Sequence, residues 1–190
     1  RFLSKISITV IMVIMQFKLP PLVMKVLATL ESAGFKAYVV GGAVRDLITN
    51  LTDTLESQLD PIGLGLSAPQ IGVLKRAFVA KVRNKIKGFL NPKITKFAKK
   101  ETSFLEGCFS VPDLYGHVIR PAEIDLEAQD IHGKKSNTHY RGLSSRIIQH
   151  EIDHLDGILF IDHIHNQNGK VFRVEKNKKG KEQFVEVLLP

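Results

Sequence analysis

One cysteine in 190 residues, Cys108, excludes an internal disulfide framework. A lone thiol points to a reducing compartment or to a cysteine kept for its chemistry. Long apolar runs are also missing. The segment "ISITVIMVIM" (6–15) stops after ten residues, half of the roughly 20 that a membrane-spanning helix needs. Lys5 precedes it as in a signal peptide, but no small-residue cleavage site follows. Its β-branched content reads as a buried strand. No internal repeat is visible, and the only biased tract is the lysine-rich "KNKKGK" (176–181), read as a solvated basic tail. No firm membrane association is expected.

What is present is an ordinary globular composition, 44% hydrophobic and 24% charged, in a chain long enough to bury a sizeable core. The net charge of +8 suits an acidic partner such as a ribosome surface. Four of the lysines sit in the tail, so the excess is partly local. No DNA partner is expected.

The first residue is Arg1. After two prolines in "FKLPPL", the stretch "VMKVLATLESAGF" (23–35) reads as a short helix ended by Gly34, and "KAYVV" (36–40) as a strand entering "GGAVRD" (41–46). This strand and double-glycine turn, over residues 22–48, resembles the opening of the tRNA nucleotidyltransferase and poly(A) polymerase family. That family continues to an Asp-x-Asp pair, whereas "LITNLTDTLESQLD" contains none. Two-metal phosphoryl transfer needs such carboxylates. Residues 1–49 are therefore expected to be an attachment without catalytic carboxylates, and residues 50–190 the catalytic domain with its basic tail.

In the second part, leucines 51, 55 and 59 form a helical stripe. "PIGLGLSAPQIG" (61–72) is a glycine-punctuated loop. "KRAFVAKV" and "GFLNPKITKFA" read as strands joined by a proline turn, and "EIDLEAQDIHGKKSNTHY" as a hairpin about "DIHGKK". "LSSRIIQHEIDHLDGILFIDHI" reads as the longest helix, with Leu143, Ile147, Ile148, Ile152, Leu155 and Ile158 along one face. The expected fold class is α+β: mixed or antiparallel strands around an internal helix packed between sheets.

That helix carries "QHEIDHLDG" (149–157). Residues four apart share a helix face, so His150 and His154 can hold one metal ion. Glu151 lies about 100° further round, where a general base belongs rather than a third ligand. A histidine pair on a wet helix face is the bland alternative. The third ligand decides the chemistry. Position 160, where a metzincin has histidine, is Phe160. Glu175 has the separation of a thermolysin-like ligand but sits in the lysine-rich segment, and Asp162, His163 and His165 read as helix-end or solvent residues. Cys108, beside Gly107 in "EGCFSVP" (106–112), is the stronger candidate.

Three segments in order, "GLGLSAPQ" (63–70), "EGCFS" (106–110) and "QHEIDHLDG" (149–157), resemble the three motifs of peptide deformylases. The resemblance covers about residues 50–165. It implies that Cys108, His150 and His154 bind Fe(II), replaceable by nickel, cobalt or zinc, and that Glu151 acts as acid–base. Gln70 and the backbone N–H of Phe109 would stabilise the oxyanion. Gly65 would let the first motif approach the peptide, and Leu143 and Ile147 would line a methionine pocket. The implied substrates are N-formylmethionyl nascent peptides. The implied compartment is a bacterial cytoplasm, with an organelle as the alternative. Ser67 replaces a usual alanine and Phe109 a usual leucine, and the family's N-terminal "Pro-Asp-Pro-x-Leu" pattern is not found. A deformylase-like protein of reduced or no activity, and an RNA-binding relative of the nucleotidyltransferases, are the other readings.

Overall fold

The structure, a computed structural model, describes residues 42–59, 62–176 and 180–188, with Lys25 and Thr29. The expected strands in 6–15 and 36–40 lie outside the described residues, as does most of the helix expected at 23–35. Among the described residues, no helix is long and apolar enough to cross a membrane.

Two antiparallel sheets and three helices make up the described chain. Helix α1 (Gly42–Ser57) leads into β1 (Gly65–Ser67), a single 3-10 turn (Ala68–Ile71), β2 (Ala77–Val82) and β3 (Lys85–Phe97). Strands β4 (Glu101–Cys108), β5 (Val111–Pro121), β6 (Glu123–Gln129) and β7 (Lys135–Arg141) follow. Helices α2 (Leu143–Leu155) and α3 (Phe160–Asn166) precede a last hairpin, β8 (Val171–Lys176) and β9 (Glu182–Val187). The first sheet has the order β1-β2-β3-β6-β7 and the second β4-β5-β8-β9. The expected α+β class is what the chain adopts.

Each helix is amphipathic and covers an apolar sheet face. On one side of the first sheet, Phe78, Phe89, Ile124 and Leu126 meet Ile147, Ile148 and Ile152 of α2. On its other side, Leu66, Ala77 and Val79 meet Leu47, Ile48, Leu51 and Leu55 of α1. Phe160 and Ile164 of α3 close the second sheet over Val118 and Val171. Helix α2 turns its remaining side to the second sheet: Arg146 donates to the carbonyls of Thr102 and Val118, and Gln149 to that of Pro121. It lies between the sheets, as expected.

Several local expectations change. Helix α1 runs through positions 49 and 50, with Val44, Leu47 and Ile48 before them and Leu51 and Leu55 after them all buried. The residues of "GGAVRD" that are described begin this helix. The leucine stripe ends with it, and Leu59 is 80% exposed. The β2–β3 turn is made by Arg83 and Asn84, both at positive φ (49° and 62°), the pattern that matches strand twist in a two-residue hairpin. Pro92 instead lies inside β3, where the pairing to β6 is irregular between Leu90 and Lys93, a position that tolerates a missing N–H. The long helix is two helices. Asp156 caps α2 and Gly157 turns left-handed at φ 75°, so Ile158 falls in the link. The residues on either side of the segment read as a basic tail are paired strands: β8 and β9 pair from Val171↔Val187 to Lys176↔Glu182, and β8 pairs with β5.

Candidate metal centre

The β4–β5 hairpin, the first-motif loop and α2 converge on one point. Beside the tight turn at Phe109 and Ser110, the register of β4 against β5 slips between Gly107 and Cys108. Such a bulge re-aims a side chain, and here it aims Cys108 Sγ at α2. Sγ lies 3.1 Å from His154 Nε2, which lies 3.2 Å from His150 Nε2. The three ligand atoms are all within 4.8 Å of one another. Ligands at about 2.0–2.3 Å from a tetrahedral ion are about 3.3–3.8 Å apart, so small adjustments would seat one. Among the described residues this is the only group of three or more such side chains close enough to share an ion. The other candidates lie elsewhere. Glu175 is exposed on β8, Asp162 caps α3 by accepting from the Leu159 N–H at 2.7 Å, His163 pairs with Asp153, and His165 is exposed.

The charges at the centre are coupled. Burial would push the Cys108 thiol up, but hydrogen bonds to His150 and His154 bring it down to about 5, so it is a thiolate at neutral pH. For His150, burial would push the imidazole down, yet its bonds to Cys108 and Glu106 hold it up at about 10. Once His150 releases its proton to an incoming ion, one thiolate and two imidazoles form a donor set that suits iron or zinc.

Behind the ligands stands a buried network that the sequence patterns did not reveal. Glu106, 7% exposed, accepts from Arg120 Nε (2.8 Å) and Nη2 (2.9 Å), from Arg146 Nη1 (3.0 Å), and pairs with His150 Nδ1 (3.0 Å). Burial works against its ionised form, but His150 and Arg120 hold the carboxyl well below the usual range. Arg120 Nη1 reaches on to Asp153 Oδ2 at 2.5 Å, which His163 also contacts at 2.8 Å. Glu106 belongs to "EGCFS", but its partners lie 14, 40 and 44 residues away. No local spacing announces them.

Glu151 is 3% exposed and does not join the ligand set. Burial pushes its carboxyl up, against the pull of both histidines and Ser67. Ser67 donates its single hydroxyl hydrogen at 2.6 Å to Oε2, with the Glu151 carbonyl at 2.9 Å as the competing acceptor. The serine that replaces the usual alanine is thus a direct partner of the acid–base candidate. Gly65 is explained from the same side. A Cβ there would lie 2.4 Å from Glu151 Oε1, so the glycine makes room for the carboxylate while also lining the cleft.

Gln70 is half-buried, with its carbonyl oxygen accepting from the Ser67 N–H at 2.8 Å. Its amide nitrogen donates to Ser110 Oγ at 3.0 Å and lies 3.6 Å from Cys108 Sγ. The donor therefore points at the ligand cluster. Phe109 turns its ring away, onto the α1 cluster and Gly63. A cleft of about 440 Å³ opens over these groups. Ile62, Leu64, Leu105, Leu143 and Ile147 give it an apolar wall, while Glu106, His150 and Glu151 line its base. Leu143 is half exposed at the mouth and Ile147 is buried.

A soft three-ligand site, a buried carboxylate beside it and an apolar cleft are the parts that a single-metal hydrolase uses. The family model for polypeptide deformylase matches residues 29–170, and the chain belongs to that family. Its match begins within the segment expected to be an attachment. The peptide deformylase of Treponema pallidum is 44% identical over 102 residues, which are 54% of this chain and 63% of that protein. The chain thus spans less than two thirds of that relative. The crystal structure of Arabidopsis thaliana peptide deformylase 1B with an inhibitor aligns at a TM-score of 0.63 and 34% identity, covering 69% of this chain and 74% of that one. A Met-Ala-Ser-bound class I type b peptide deformylase from Acinetobacter baumannii aligns at 0.57 and 32%, covering 62% and 80%.

Proposed function

We propose that this chain is a metal-dependent amidohydrolase that removes the N-formyl group from formylmethionine at the start of new polypeptides, releasing formate. The observation that carries this reading is the convergence of Cys108, His150 and His154 beside the buried Glu151 at the base of an apolar cleft. The relative bound to Met-Ala-Ser supports the peptide as substrate class.

Cys108, His150 and His154 would hold the ion, with Fe(II) as the proposed native metal and nickel, cobalt or zinc as substitutes. When bound, it supplies Lewis acidity toward a water and the formyl carbonyl. The rest falls to the chain. Glu151 takes the water's proton at Oε1, the oxygen that Ser67 does not hold. The water oxygen adds to the formyl carbon, the C–N bond breaks, and Glu151 returns the proton to the departing amine. The Gln70 amide and the Phe109 N–H face the carbonyl oxygen as it gains charge, where fixed donors stabilise most. Leu143 and Ile147 take the methionine side chain, and a formyl group is too small to provide that selectivity itself. A ribosome surface suits the positive charge as the place of action.

The test is formate release from formyl-Met-Ala-Ser by protein purified anaerobically with Fe(II) or loaded with Ni(II). Turnover that disappears in Cys108→Ala, together with bound metal, is the expected result. A metal-loaded, folded chain that releases no formate rules the activity out and leaves a metal-binding relative.

A further inference from the structure

Strand β1 is only three residues long, yet two of its residues touch the Glu151 carboxylate. Gly65 lies flat against it, so that a Cβ there would fall on Oε1, Cδ and Cγ. Ser67, with no exposure at all, reaches Oε2 through its hydroxyl at 2.6 Å. That length is typical of an O–H bonded to a charged oxygen. The carboxylate, and not the Glu151 carbonyl at 2.9 Å, therefore takes the single hydrogen.

This bond tells the two carboxylate oxygens apart. Among the described residues, Ser67 is the one side chain that donates to Oε2, and none donates to Oε1. No buried side-chain oxygen of the described residues lacks a partner. Oε1 is therefore the oxygen that opens to the cleft, which Gly65 and Glu151 both line. Ser67 also acts through its backbone. Its N–H donates to Gln70 Oε1 at 2.8 Å, which leaves the Gln70 amide nitrogen to face Ser110 and Cys108. One residue thus stands between the acid–base carboxylate and the oxyanion donor, holding each with a different group. Any residue but proline supplies the N–H. Only the hydroxyl is particular to serine.

The bland reading is a buried serine that fills space and ties β1 to the α2 backbone. Its consequence would be stability alone. The geometry points further, because without the hydroxyl Oε2 would stay buried with no donor, a costly state for a carboxylate. The side chain would have to swing toward another donor or toward the cleft, and Oε1 would move with it. We propose that Ser67 is a positioning residue, whose hydroxyl clamps Oε2 and so holds Oε1 toward the cleft for proton transfer. The proposal rests on the deformylase reading and adds to it a residue that touches neither the metal ligands nor the substrate.

The experiment measures kcat and KM for formyl-Met-Ala-Ser in the metal-loaded full chain, its Ser67→Ala variant and its Ser67→Thr variant. Ser67→Ala is expected to lose about tenfold or more in kcat, the lower end of what a hydrogen bond to a charged group supplies. KM and metal content should stay as in the parent. Ser67→Thr keeps the hydroxyl and should recover most of the loss. In a Glu151→Gln background, Ser67→Ala should cost less than about twofold, because the clamp acts only through the carboxylate. An equal fractional loss in both backgrounds makes Ser67 a packing residue and overturns the proposal. So does an unchanged kcat, or a rise in KM in place of the fall in kcat. If Ser67→Ala fails to fold, Ser67→Cys, which keeps the volume and donates weakly, takes its place in both backgrounds. If the parent releases no formate, the activity reading has failed instead. Crystal structures of the parent and Ser67→Ala then decide the clamp: a Glu151 carboxylate displaced only in the variant upholds it, and one that stays in place removes it.

Discussion

Glu106→Gln is the sharpest test of how the metal centre is held. The carboxylate sits among two guanidiniums and an imidazole with a side chain only 6% exposed. Glutamine keeps the shape but removes the charge and turns one acceptor into a donor. If the amide oxygen stays with Arg120 Nε and Arg146, the NH₂ must face Arg120 Nη2 and His150 Nδ1. It can satisfy Nδ1 only if the imidazole proton moves to Nε2, the atom that faces the other ligands. Removing one partner of a buried ion pair costs about 3–5 kcal/mol. For a chain of this length each kcal/mol moves Tm by about 2–4 °C, so a fall of about 6–20 °C is expected. The displaced proton and lost orientation should weaken metal retention by about 10–100-fold. Differential scanning calorimetry of the metal-free protein separates the first effect, and metal analysis after graded chelation measures the second. A variant melting within about 2 °C of the parent and holding metal equally well would refute the network as the support of His150.

Three further outcomes are expected. Glu151→Gln should keep fold and metal content while turnover of formyl-Met peptides falls by about 10²–10⁴; unchanged turnover would remove Glu151 from the chemistry. Gly65→Ala must push the Glu151 carboxylate off its place, costing about 1–3 kcal/mol of overpacking and most of the activity, and a crystal structure with Oε1 unmoved would contradict this. Leu51→Ala, at a site with no exposure, should cost about 2–5 kcal/mol in denaturant unfolding, and trimming the chain to residue 50 should cost more. A trimmed chain as stable as the parent would show that α1 is dispensable to the domain.

Much of the centre was legible because its signals are short-range. The four-residue spacing of His150 and His154 is a property of any helix, and the hairpin about "DIHGKK" follows from alternation around a turn. What stayed hidden depends on distant partners or on interruptions that leave the hydrophobic pattern intact. The apolar stripe runs unbroken through Leu155, Ile158 and Phe160, so nothing but Gly157 marks the break between α2 and α3. The lysines of "KNKKGK" read as a solvated end, although Lys176 and Glu182 pair across a hairpin whose buried anchor, Val171, lies at its far end. Ser67 looked like a neutral exchange for alanine, because its acceptor is 84 residues away. The start of α1 stayed hidden for a related reason: a glycine-rich opening suggested a turn where the buried Val44, Leu47 and Ile48 make a helix.

The ligand set also straddles a seam. Cys108 belongs to the second sheet, whereas His150 and His154 ride on a helix whose apolar face is anchored in the first. Cys108 and His154 are 46 residues apart, and contacts of that span form only after the loops between them have closed. The ability to capture an ion tightly therefore requires the helix and the Cys108 hairpin of the second sheet to be in place together. In a refolding experiment the far-ultraviolet signal should recover first and metal uptake last. Chains stalled with either sheet incomplete would be selectively blind to the metal.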